Sequence, residues 1–105
     1  MGQVTITPPL TIPPEVEVFA AHEGAAPYLH EVIRMTNRVF PNCGINLLVE
    51  DDPEIADDRH IVLEVKTNME VAEALQAEYQ WHEGLFVHCP APLAPVFRLG
   101  LEIAP

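Results

Sequence analysis

Glu78 and His82 are the two residues of this chain whose types and spacing best fit catalysis. They stand four residues apart, so on a helix the carboxylate and the imidazole lie on one face within reach of each other. A carboxylate that orients an imidazole can serve a general base or a metal ligand. The same pair could instead be a structural hydrogen bond at the edge of the core. The candidates for the further group that catalysis would need are His60, His88, Cys43 and Cys89, and Trp81 could line a pocket beside them.

The other catalytic and cofactor patterns are incomplete. The chain contains no serine and only one lysine, which excludes a serine nucleophile and argues against a phosphate-binding loop. His82 and His88 have the spacing of a zinc-binding histidine pair, but Cys43 and Cys89 are too far apart in sequence to be the matching cysteine pair. We therefore predict no metal site and no cofactor, and the pattern favours a protein without catalytic activity.

An acidic loop is the strongest local feature of charge. Six of the nine residues from 50 to 58 are acidic. Calcium prefers such oxygen ligands, but the regular aspartate spacing and the glycine of an EF-hand loop are missing. A dense group of carboxylates attracts basic surfaces. We therefore predict that a partner is bound by the loop residues Asp51, Asp52, Glu54, Asp57 and Asp58.

The net charge of the whole chain also favours a basic partner. Sixteen acidic residues face five basic ones among 105 residues, which gives a formal net charge of −11. Nucleic acids and anionic membranes repel such a chain, because both are bound through lysine and arginine. No signal-peptide pattern and no apolar run of bilayer length is present. We therefore expect a cytoplasmic protein with reduced cysteines and a basic protein partner, or self-association.

Hydrophobic periodicity predicts the elements that would position these residues. Alternation of apolar and polar residues predicts strands at 15–19, 45–50, 61–66 and 97–103, the middle two forming a hairpin around the acidic loop. An amphipathic pattern predicts a first helix over Pro27–Phe40. A second helix follows a Thr67–Glu70 capping box and extends to about residue 84, or as far as His88. The prolines at 90, 92 and 95 predict an extended connection to the last strand.

The second helix is predicted to bury one apolar face. At 100° per residue, its apolar residues centre on a single arc, with Glu78 and His82 in the middle of it. A polar pair in that position must be hydrogen-bonded. The predicted core residues of this face are Val71, Leu75, Leu85, Phe86 and Cys89.

The order of the elements predicts an α+β fold. A β-α-β-β-α-β order is that of the ferredoxin-like split βαβ fold, with a four-stranded antiparallel sheet and two helices on one face. Residues 1–14 would be a proline-rich N-terminal arm, and residues 15–105 a single domain.

Three functions are compatible with these patterns. The first hypothesis is a non-catalytic acidic interaction module, such as a regulatory, adaptor or antitoxin-like subunit that binds a basic protein. The alternative is a small homodimeric enzyme or ligand-binding domain with a pocket around Glu78 and His82. A weaker alternative is a nucleic-acid mimic, although its acidity would then be expected over a whole face and not in one loop.

Overall fold

The computed structural model describes residues 12–104 of the chain. Three α-helices, one 3-10 helix and three strands make up this part. In chain order they are α1 (Pro14–His22), α2 (Ala26–Val39), β1 (Gly44–Asp51), β2 (Arg59–Thr67), α3 (Val71–His88), the 3-10 helix (Ala91–Val96) and β3 (Phe97–Ile103).

The three strands form one mixed sheet in the order β1-β2-β3. β1 and β2 are an antiparallel hairpin, in which Leu47 pairs with Leu63. β3 runs parallel to β2, with Leu99 beside Leu63. A parallel neighbour requires a crossover connection, and α3 with the 3-10 helix supplies it. The hairpin and the last strand predicted from the sequence are therefore confirmed.

The predicted four-stranded antiparallel ferredoxin-like sheet is wrong. Residues 15–19, predicted as its first strand, lie in α1. Pro14 stands in the first turn of this helix, where no backbone amide is needed. Val16 and Ala20, four residues apart, are buried, whereas Val18 between them is 69% exposed. The buried residues of this segment therefore follow the helical spacing of about four residues. The alternation of Glu and Val does not correspond to two faces of a strand.

The predicted first helix is confirmed as α2, with each end shifted by one residue. The connection from α1 is a tight turn in which Gly24 has φ +77°, and the amide of Ala25 donates to the carbonyl of Ala20 over 2.8 Å. This is the arrangement in which a left-handed residue, most often glycine, ends a helix. The turn sets the direction of α1, which packs against β1. Of the predicted arm over residues 1–14, the described part begins only at residue 12.

The predicted second helix exists, but its start and its buried face differ from the prediction. α3 begins at Val71, and Thr67 is the last residue of β2, where its hydroxyl accepts a hydrogen bond from the Met69 amide over 3.1 Å. Thr67 and Glu70 therefore do not form a capping box. The proline-rich connection after α3 is a 3-10 helix and not an extended segment.

The buried side of α3 is formed mainly by small residues around one tryptophan. Its buried residues are Ala74, Ala77, Trp81 and Leu85. Of the predicted core residues, Leu85 and Cys89 are buried, but Val71, Leu75 and Phe86 are exposed. Gly84 allows a close approach to α2, because a Cβ atom there would lie 2.8 Å from the Met35 sulfur. The helix is thus rotated from its predicted orientation, and Trp81 fills the space between α3 and α2.

Candidate functional site

A groove of about 880 Å³ lies between α1 and the loop that joins β1 to β2. Its apolar lining comes from three parts of the chain: Val18 and Phe19 of α1, Val49 of β1, and Ile55 and Ala56 of the loop. Val18 and Ile55 are both largely exposed. Since isolated exposed apolar residues are common but a grouped set in a concave surface is not, this groove is the leading candidate for a binding site.

Carboxylates surround the apolar lining of the groove. They belong to Glu15, Glu23, Asp51, Asp52 and Asp57. The groove-lining residues that could offset them are Arg59 and His22, and both already contact a rim carboxylate. The Arg59 Nε donates to Asp51 over 2.7 Å, and the His22 Nδ1 lies 3.0 Å from Glu23. The rim therefore has an excess of negative charge.

The Asp51–Arg59 pair links the two ends of the hairpin. The two residues are paired across β1 and β2. The hydrogen bond from Arg59 holds the pKa of Asp51 below its usual value, and the same bond raises the pKa of the guanidinium. Both side chains are exposed to solvent, so the pair orients the hairpin end and contributes little to stability.

Asp52 organises the loop itself. Its Oδ1 accepts hydrogen bonds from the amides of Glu54 and Ile55, over 2.8 and 3.1 Å, while its own amide donates to the Asp58 carbonyl over 2.8 Å. Such aspartate-centred turns fix short loops. Asp57 takes the left-handed conformation with φ 62°, which aspartate tolerates better than most residues. The result is an ordered loop in which Ile55 and Asp57 line the groove.

Arg98 of β3 holds the base of the loop. Its Nη2 donates to Asp58 Oδ2 over 2.8 Å, and its Nη1 lies 3.8 Å from Asp52 Oδ2. Both carboxylates are largely covered. One guanidinium thus joins two carboxylates of the loop to the third strand, and the position of the groove wall depends on it.

The acidic residues predicted to bind a partner have different positions. Asp51, Asp52 and Asp57 line the groove, whereas Glu54 and Asp58 lie outside its lining. The sequence prediction missed the half of the site that α1 supplies, because residues 15–19 were interpreted as a strand. The spacing of Val16 and Ala20, which places both on one side of a helix, is the signal that could have revealed it.

Glu78 and His82 line neither of the two main pockets in the described part of the chain. Glu78 is half-buried and His82 is exposed, and neither lines the groove or the shallow hollow beside Gln76 on the same helix. The His82 ring stands edge-on to Trp81, with ring centroids 5.1 Å apart. Within residues 12–104 we see no hydrogen bond between Glu78 and His82, and so no preformed acid–base pair.

Comparison with protein-family models, curated proteins and solved structures finds no match to this chain. None of the helices in the described part is long and apolar enough to span a membrane.

The remaining histidine and cysteine candidates are dispersed. His60 of β2 is buried, with its Nδ1 unpartnered and its Nε2 3.7 Å from Glu50. His88 lies 3.0 Å from Arg38 of α2. In the part of the chain that the structure describes, no three His, Cys, Asp or Glu residues come together as metal ligands. Cys43 is half-buried and Cys89 is buried, and each thiol contacts a nearby backbone carbonyl.

The two cysteines are expected to differ in reactivity. Burial raises the pKa of Cys89, which lowers the fraction of its nucleophilic thiolate as well as its access to reagents. We therefore expect iodoacetamide at pH 8 to alkylate Cys43 at least tenfold faster than Cys89. Peptide mass spectrometry of the native protein over a time course measures both rates. In denaturant the two rates should converge, and equal rates in the native protein would contradict the burial of Cys89.

Proposed function

We propose that this protein is a non-catalytic interaction module that binds a basic protein partner in the groove between α1 and the acidic loop. The bound part of the partner would be a segment that carries lysine or arginine beside apolar side chains. The observation that carries the proposal is the combination, in one groove, of an apolar lining with five carboxylates and a single arginine.

The apolar lining supports binding of a protein segment more than binding of a free cation. Val18 and Ile55 present exposed aliphatic side chains from opposite sides of the groove. Burying such surface contributes about 25 cal/mol for each Å² removed from water. A metal ion or a polyamine would leave that contribution unused, whereas an amphipathic segment would gain it.

The carboxylate rim supports a basic partner over an acidic one. Asp57 and Glu15 face the groove, and no hydrogen-bonded ion pair in the described part of the chain engages either. Charges at a rim accelerate encounter with a complementary surface and disfavour partners of like charge. The net charge of −11 extends the same preference over the whole molecule.

The proposal is tested by capture from the protein's own host with matched baits. The groove variant combines Val18→Ser, Ile55→Ser and Asp57→Asn, because asparagine also tolerates the positive φ at that position. We expect it to retain a basic protein roughly fivefold to tenfold less than the wild type, since two apolar contacts and one charge are lost. Quantitative mass spectrometry of the eluates measures the difference.

The control bait makes changes of the same kind outside the groove, one at an apolar residue and one at a carboxylate. Val87→Ser and Glu83→Gln remove an exposed valine and an exposed glutamate of α3, and this bait should retain the partner as the wild type does. Rising salt should release the partner, because the rim charges are exposed. Equal capture by the groove variant, or capture of no basic protein by the wild type, would refute the proposal. Competition by duplex DNA for the same captured protein would favour a nucleic-acid mimic instead.

A further inference from the structure

Helix α3 has an apolar stripe that no other element of residues 12–104 covers. The exposed fractions are 60% for Val71, 55% for Leu75, 62% for Tyr79 and 62% for Phe86. His82, also exposed, lies between the last two. At 100° per residue these five side chains fall within an arc of about 80°, and they extend over about 22 Å of the helix. They form a continuous surface, which we call the α3 stripe.

The α3 stripe is separate from the groove. α1 and the acidic loop stand at the β1 side of the sheet, whereas α3 packs against α2 and β3. The side of α3 next to the stripe is already used by the core, through Ala74, Trp81 and Leu85. The stripe therefore requires a second explanation, and one that does not depend on the partner proposed for the groove.

The residues of the stripe are arranged almost symmetrically about Tyr79, each pair differing by one residue. Val71 and Phe86 lie eight and seven residues from it, and Leu75 and His82 lie four and three residues from it. If two copies of α3 cross in antiparallel directions at Tyr79, then Phe86 of each copy faces Val71 of the other. A surface that matches itself under a two-fold rotation is the requirement for a closed dimer.

The area of the stripe is sufficient for a weak dimer. Four large side chains exposed to this degree present roughly 400 Å² of mostly apolar surface in each copy. The stripes of two copies would then bury about 800 Å², and a polar rim of about 200 Å² in each copy would bring the total to the lower end of specific interfaces, about 1,200 Å². An interface of this size is typical of weak association.

The charges of α3 disfavour a lipid surface as the occupant. The helix contains Glu73, Glu78 and Glu83 and neither lysine nor arginine. Helices that lie on membranes combine an apolar face with basic residues that meet anionic lipids. The stripe therefore matches a protein surface of its own kind better than a bilayer.

We propose that two copies of this chain associate through the α3 stripe, as an antiparallel helix pair with Tyr79 at the two-fold axis. Each copy carries a net charge of −11, so long-range repulsion opposes the association while the apolar contact drives it. Screening by salt reduces the repulsion. The dimer therefore becomes tighter as salt rises, in contrast to the groove, which releases a basic partner.

Sedimentation velocity of the purified chain between 5 and 500 µM tests the dimer. We expect a monomer–dimer equilibrium that is at least threefold tighter in about 500 mM than in about 50 mM NaCl. Leu75→Gln and Phe86→Gln should each weaken it about tenfold. Both residues are exposed, so the monomer keeps its fold, as circular dichroism would verify. Val87→Gln is the matched control, because Val87 is 77% exposed on the same helix but outside the stripe, and it should leave the equilibrium unchanged.

Cysteine cross-linking tests the orientation of the two helices. In a Cys43→Ser background, Tyr79→Cys should form a disulfide-linked dimer on mild oxidation, because residue 79 faces its own copy. Val71→Cys should cross-link with Phe86→Cys in a mixture, and neither variant alone should do so. A monomer at every concentration, oligomers that grow beyond two, or a dimer lost on Val87→Gln but not on Phe86→Gln would overturn the proposal. These outcomes leave the groove untouched, since no groove residue is changed.

Discussion

Replacing Trp81 by alanine is expected to lower the free energy of unfolding by about 3–5 kcal/mol. Trp81 is fully buried, and it is the largest side chain of the core. Its neighbours on the buried side of α3 include Ala74 and Ala77, which are too short to fill the space that the indole would leave. A cavity between α3 and α2 would therefore remain, and the lost contacts would not be replaced.

Trp81 also ends a chain of buried hydrogen bonds. Its Nε1 donates to Thr36 Oγ1 over 2.8 Å, and the same hydroxyl donates to the Val32 carbonyl over 2.7 Å. Thr36→Val keeps the shape of the side chain but leaves the indole N–H without an acceptor, so we attribute about 1–3 kcal/mol of the stability to this link. Trp81→Phe removes the donor, and in that background Thr36→Val should cost much less.

Urea unfolding followed by circular dichroism measures these changes, because Trp81 is the only tryptophan and its fluorescence disappears with it. Tyr79→Ala is the control, since it removes an exposed aromatic residue from the same helix. At a protein concentration below that of dimer formation it should change stability by less than about 1 kcal/mol. Similar losses for Trp81→Ala and Tyr79→Ala would contradict the orientation of α3.

The hairpin and the last strand were predictable because apolar residues recur at every second position along them. Leu47, Leu63 and Leu99 all face the core at neighbouring positions of the sheet. An apolar residue at every second position leaves little freedom of register, even though residues 60–63 of β2 are all buried. The same held for α2, whose buried residues follow the helical period.

The first helix was missed because a short segment can satisfy two periods at once. Glu15, Val16, Glu17 and Val18 alternate perfectly, yet one valine is buried and the other exposed. Over so few residues, the sequence does not distinguish the strand period of two residues from the helix period of about 3.6 residues. The error propagated to the fold class, because a strand at this place would complete a four-stranded antiparallel sheet.

The buried face of α3 could not be chosen from the sequence alone. Apolar residues surround much of this helix, so more than one face is suitable for burial. Gly84 allows α3 to lie close to Met35 of α2, and Trp81 and Ala77 belong to the same buried core. A fit of side-chain volumes of this kind is not encoded in a pattern of hydrophobicity. For the same reason Glu78 and His82, predicted in the middle of the buried face, stand at its edge and on the exposed side.

Arg98→Met is expected to lower the free energy of unfolding by about 2 kcal/mol and to loosen the acidic loop. Methionine keeps most of the aliphatic stem of arginine, so the change removes chiefly the contacts to Asp58 and Asp52, at 2.8 and 3.8 Å. Without the guanidinium, two largely covered carboxylates repel each other at the base of the loop. Hydrogen exchange of the amides of Ile55 and Asp58 should accelerate, because the loop opens more often.

Loosening the loop should also weaken binding in the groove, since Ile55 and Asp57 would no longer be held beside α1. Arg34→Met is the matched control, because Arg34 is an exposed arginine that pairs with Glu31 within α2 over 3.0 Å. It should change stability by less than about 0.5 kcal/mol and leave the exchange of the loop amides as it is. Equal effects of the two substitutions would show that the loop does not depend on β3. If the loop amides exchange faster in Arg98→Met than in the wild type, and Arg34→Met exchanges like the wild type, Arg98 is the residue that holds the wall of the proposed binding groove.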